Sequence, residues 1–191
     1  MSDPRIEKLA GILVDYSAKV RRGDIVMIDF SGTRPLPLVQ EIYRRCLRRG
    51  ATAVEYNFGS EELSRIFYEE AADHQLRYFP RHRLEAMKKA TVYIGIGGTE
   101  NVQNFAGIDT AKMVKREKVL RPIINRRVDH TRWVITRYPT NGLAQDAKMS
   151  LAAFEDFYFR ACNIDWDAFS KQMTVLERVV TRAKDVRLVA S

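Results

Sequence analysis

The run from Ile25 to Tyr56 constrains this chain more than any other stretch. Ile25–Phe30 is an apolar segment with β-branched residues, the pattern of a buried strand. Pro35 to Arg49 then sets Val39, Ile42, Tyr43, Cys46 and Leu47 on one helical face. Gln40, Glu41, Arg44, Arg45 and Arg48 occupy the opposite face. Gly50 stops that helix, and Ala51–Tyr56 reads as a second strand. A strand, a helix and a strand within about thirty residues form a parallel crossover.

The rest of the chain repeats the alternation. Asp3 to Val20 predicts a helix capped by Asp3 or Ser2, with Pro4 in its first turn. Its apolar face is Ile6, Leu9, Ala10, Leu13 and Val14, with Ser17 in register. Ser60 opens a helix to about Ala72, its Glu61 and Glu62 beside the positive end of the dipole. A link, His74 to Phe79, leads to the helix Arg83–Ala90 and to a third strand, Thr91–Ile96. A helix around Thr110–Lys118 precedes a fourth strand, Arg132–Thr136, and Val186–Ala190 reads as a fifth. Between these last two lie helices at Asn141–Ala147, Leu151–Cys162 and Asp167–Ala183. The expectation is a single α/β domain over 1–191: an open, mostly parallel, Rossmann-like sheet of about five strands with helices on both faces. A strand that opens at Val186 and stops at Ser191 also suggests that the protein continues.

Charge and composition narrow the partners. A net charge of +8 would suit nucleic acid. The basic residues, however, come as scattered doublets such as Arg21-Arg22, Arg48-Arg49 and Lys88-Lys89, interleaved with acids, so no nucleic-acid partner is expected. No apolar run is long enough to cross a bilayer, and the N-terminal twenty residues lack the pattern of a secretory signal, so no membrane partner and a cytoplasmic location are expected. Cys46 and Cys162 sit among apolar residues on helices and read as small buried hydrophobes.

The residues assemble no complete catalytic set. Gly97, Gly98, Thr99, Glu100 and Asn101 follow the third strand, where loops of such folds face the ligand crevice, and they are the substrate-cleft candidates. Gly95 and Gly97 do not complete the dinucleotide pattern, because neither Glu100 nor Asn101 supplies the third glycine, and no Lys-Ser/Thr completes a phosphate loop. A tight turn explains the glycines without a ligand. His74, His82 and His130 fall in no zinc-ligand spacing, and no G-x-S-x-G elbow is present. No catalytic or metal residue is therefore assigned.

One segment is more specific. Trp133-Val-Ile-Thr-Arg-Tyr138-Pro139-Thr140, then Leu143-Ala144-Gln145, Met149-Ser150-Leu151 and Phe154-Glu155-Asp156-Phe157, resembles the aminopeptidase T and aminopeptidase S family of metallo-aminopeptidases, the thermophilic leucyl aminopeptidases. Asp3 through Val20 with Gly23-Asp24 is similar to the family's opening helix and turn. Glu100-Asn101 followed by Gly107-Ile108-Asp109 is similar to another of its stretches. The chain departs from that pattern at Thr110, where proline is usual, at Asn141-Gly142, and at Lys148, which replaces a common glycine. The resemblance implies a two-domain enzyme that removes N-terminal residues such as leucine from peptides. It also implies two divalent ions of the zinc or cobalt type, held by glutamate, histidine and aspartate in a C-terminal catalytic domain, and a homodimer. On that reading the chain is the N-terminal, non-catalytic domain, inactive alone and expected to hold no metal. The alternative is a stand-alone Rossmann-like module that binds a small ligand at the Gly97–Asn101 loop.

Overall fold

The computed structural model describes residues 3–189. Its centre is a four-stranded, all-parallel sheet in the order β2-β1-β3-β4. The strands are β1 (Ile25–Ser31), β2 (Ala53–Gly59), β3 (Val92–Gly97) and β4 (Arg132–Arg137). The expected fifth strand is not formed: Val186 to Val189 have no regular structure, and Ala190 lies outside the described residues. Among the described residues no neighbouring backbone pairs with that segment, and without a partner an apolar run has no ladder to join.

Helices flank both faces, as expected. On the first face lie α1 (Pro4–Gly11), a π-helical segment Ile12–Ser17, α2 (Leu36–Arg48) and α8 (Leu151–Cys162). They pack Leu9, Val14, Leu38, Ile42 and Phe159 against Val26, Ile28, Phe30, Val92, Ile94 and Ile96. Each such buried aliphatic side chain contributes roughly 1.5–3 kcal/mol of transfer free energy. On the second face α5 (Arg81–Lys89) and α6 (Thr110–His130) bring Met87 and Ile123 onto Met27 and Tyr93. Between β2 and α5 the chain forms α3 (Glu61–Glu70) and α4 (Asp73–Leu76). After β4 come α7 (Asn141–Asp146), α8 and α9 (Trp166–Arg182).

Three boundaries differ from the sequence reading. The first helix is α-helical only to Gly11; its last turn is π-helical, closed by the Ala18 amide on the Leu13 carbonyl at 2.9 Å. The wider turn rotates Ala18 into the core and leaves Ser17 exposed, reversing the expected facing of Ser17. Helix α6 runs twelve residues past Lys118 to His130, through Pro122. Ile123 buried against the sheet holds this continuation, outweighing the hydrogen bond that proline cannot donate. Strand β2 is displaced toward Gly59 because it pairs with β1 out to Ser31↔Gly59.

Candidate functional site

In an open parallel sheet the ligand crevice forms where the strand order reverses, here between the carboxyl ends of β1 and β3. The predicted loop begins at that place, but backbone fills the gap. The Gly98 amide donates to Ser31 Oγ at 3.2 Å. A Cβ on Gly98 would overlap the Ser31 carbonyl and the Pro35 ring, and one on Gly32 would overlap the Gly98 carbonyl. Thr99 Oγ1 donates to Glu61 Oε1 at 2.8 Å, and Thr140 Oγ1 donates to the Thr99 carbonyl. A Cβ on Gly142 would collide with the Glu100 carbonyl, so the first turn of α7 seats directly on this loop. Of the five predicted residues, Gly98 is buried, Thr99 half-buried, and Glu100 and Asn101 are exposed. Gly97 borders a cavity.

That cavity is a cleft of about 710 Å³ on the second face of the sheet, beyond the cover of α5 and α6. Its floor is Met27 and Asp29 from β1, Glu55 and Asn57 from β2, and Tyr93, Gly95 and Gly97 from β3. Its walls carry His82 and Arg83 from α5 and Ile123 and Arg127 from α6. Asp29 Oδ2 accepts from the Tyr93 hydroxyl at 3.0 Å, and Asp29 Oδ1 accepts from Asn57 Nδ2 at 2.8 Å. Burial, and then the Asp29 carboxylate, pushes the Tyr93 phenol up to about 12, so it stays protonated and remains a donor. The Arg127 guanidinium lies 4.9 Å from the Tyr93 ring centre and 5.8 Å from that of Trp133. Both are cation–π contacts that attract the guanidinium to the rings. Its Nε is buried with no hydrogen-bond partner among the described residues.

Sequence reasoning passed over this cleft, although two signals pointed to it. Asp29 is a carboxylate inside an otherwise apolar strand, where burial of a charge demands partners. Gly95 interrupts a strand, which often marks close approach of another group; here the Tyr93 ring and Ile135 crowd the space where its Cβ would be. His82 reaches the cleft rim, whereas His74 and His130 are exposed elsewhere. Among the described residues, no group of three or more His, Cys, Asp or Glu side chains converges as a metal site would.

A four-stranded parallel sheet wrapped by helices on both faces, with its loops gathered at the carboxyl ends of the strands, defines a doubly wound α/β protein. The chain belongs to the family described as "Thermophilic metalloprotease (M29)", which matches residues 2–185. Among solved structures it resembles wild-type AmpT from Thermus thermophilus, with a TM-score of 0.68 and 17% sequence identity. That likeness covers 84% of this chain but 43% of the other, so the chain spans less than half of its structural relative. No match is found among curated protein sequences. No helix among the described residues is long and apolar enough to cross a membrane.

Proposed function

We propose that this chain is the N-terminal, non-catalytic domain of a two-domain metal-dependent aminopeptidase, one that removes N-terminal residues such as leucine from peptides. The observation carrying this reading is the family match over residues 2–185 of a chain that spans 43% of its structural relative. The active protein would be a cytoplasmic homodimer holding two divalent ions of the zinc or cobalt type. Such ions acidify a bound water and polarise a scissile carbonyl. The described residues offer no fitting donor set, so no step of that chemistry is assigned to them. In this arrangement Gly97, Gly98, Thr99, Glu100 and Asn101 shape the wall of the peptide cleft. The apolar face of α9, where Met173, Leu176 and Val180 are exposed, meets the catalytic domain.

Purified alone, the chain is expected to bind neither zinc nor cobalt in stoichiometric amount and to release no leucine from leucyl peptides. Robust metal-dependent release by the 191-residue chain would overturn the non-catalytic assignment. A second reading, a stand-alone small-ligand module, draws on the cleft over β1 and β3. A coding sequence that continues past Ser191 into a segment rich in glutamate and histidine favours the first reading. One that stops there favours the second.

A further inference from the structure

We infer that the cleft on the second face of the sheet binds a small zwitterion of the α-amino-acid class, its carboxylate on Arg127 and Arg83 and its ammonium on Asp29 and Glu55. The argument starts from charge. Four acidic and basic side chains line the cleft, two of each kind, and among the described residues none of them is in an ion pair. The two signs come from different elements. Asp29 and Glu55 rise from β1 and β2, whereas Arg83 and Arg127 come from the helices on the other wall.

A simple anion would gain the guanidinium groups but face two carboxylates, and a simple cation would meet the reverse. A ligand carrying both charges satisfies both walls at once. Arg127 is drawn to the faces of Tyr93 and Trp133, and its planar, two-pronged guanidinium suits recognition of a carboxylate. Asp29 is steadied by Tyr93 and Asn57, each of its oxygens accepting one bond and keeping a lone pair for an ammonium. Beside the charged groups, Met27, Ile123 and Ile135 provide an apolar bed for a side chain. The volume falls in the ordinary range for small-molecule sites.

The inference stands apart from the peptidase reading and is tested with ligands that no peptidase cleaves. L-leucine, leucinol, which lacks the carboxylate, and 4-methylpentanoate, which lacks the ammonium, are titrated into the intact chain. Heat and tryptophan fluorescence are followed, with Trp133 as the reporter beside Arg127. Saturable binding of L-leucine is expected, with both analogues at least about tenfold weaker. Arg127→Lys keeps the charge but loses the planar fork, and Asp29→Asn keeps the shape but loses the charge. Each is expected to weaken L-leucine about tenfold, with circular dichroism confirming that the fold is retained. Equal binding of the three compounds, or no saturable response to L-leucine up to about 10 mM, would overturn the proposal.

Discussion

Arg34 and Glu155 are joined at 3.0 Å, the guanidinium Nη2 donating to Glu155 Oε1. The same guanidinium donates through Nε to the Pro139 carbonyl at 3.1 Å. One side chain thus ties the loop after β1 to the Tyr138-Pro139-Thr140 turn and to α8. Both partners are mostly screened from solvent, so the pair is worth more than an exposed one. Arg34→Ala is expected to lower stability by about 1–2 kcal/mol in urea unfolding. Arg34→Lys should recover only part of it, since an ammonium cannot serve both acceptors from a fixed fork. A neutral Arg34→Ala variant would show that this tie does not hold the turn.

The glycines at the carboxyl edge are there for contact. Gly98→Ala and Gly142→Ala each force a methyl group into a neighbouring carbonyl, and each is expected to cost about 2–4 kcal/mol. Gly107 has open space where a Cβ would sit and only its positive φ of 81° against it. Gly107→Ala should therefore cost about 1 kcal/mol. Thermal midpoints of the three variants would rank them; Gly107→Ala as damaging as the others would contradict the contact argument.

Lys148 adopts φ 55°, a left-handed conformation that disfavours any side chain with a Cβ. Its amide donates to the Gln145 carbonyl at 2.9 Å, and the following Met149 amide donates to Ala144, closing the end of α7. Lys148→Gly should therefore raise stability by roughly 0.5–1 kcal/mol despite the entropy glycine adds to the unfolded chain. Chemical denaturation of the single variant reads it directly.

Acid should unfold the protein through its amino-terminal edge. Burial alone would raise the Asp24 carboxyl, but hydrogen bonds from Arg132, the Arg21 amide and Thr91 outweigh it and hold the group below its ordinary 3.8. A folded pKa below the unfolded one contributes stability that is fully present above the unfolded value. That stability is lost as pH falls through the folded value, below about pH 4. Asp24→Asn is expected to lower stability at pH 7 by about 2 kcal/mol and to flatten the acid limb of a stability–pH curve. An unchanged limb would assign acid sensitivity to other carboxylates, such as Asp15 between Arg45 and Arg49.

The Cys46 thiol is pushed up to about 12 by its burial, reinforced by the charges of Asp15 and Asp24. It is therefore protonated at neutral pH and inaccessible. Iodoacetamide should label Cys46 only as fast as the domain opens, with denaturant accelerating it in step with unfolding. Rapid native labelling at Cys46 would contradict its burial on the inner face of α2.

The parallel crossover, the two-sided helical cover and nearly every helix were legible from Ile25, Val39, Ile42 and their like, because burial periodicity is written in local order. The π turn at Ile12–Ser17 was not, since Ser17 and Ala18 differ little in pattern and only packing on the sheet selects which turns inward. The run at Val186 read as a strand by composition, yet pairing needs a neighbour that local sequence does not supply. The candidate loop Gly97–Asn101 was placed correctly at the carboxyl end of β3. Its filled switch point depends on Ser31, Pro35, Thr140 and Gly142, residues distant in order.

Local pattern alone therefore determined the class of fold, the helix caps and the kinship carried by Tyr138-Pro139-Thr140 and the segments around it. Tertiary structure alone decided the cleft. Asp29, Glu55, Arg83 and Arg127 come from two strands and two helices, and no spacing along the chain announces that they face one another. Periodicity reports which residues a segment hides. Where two unlike charges meet, or are kept from meeting, is settled only when the sheet orders its strands and the helices take their places over it.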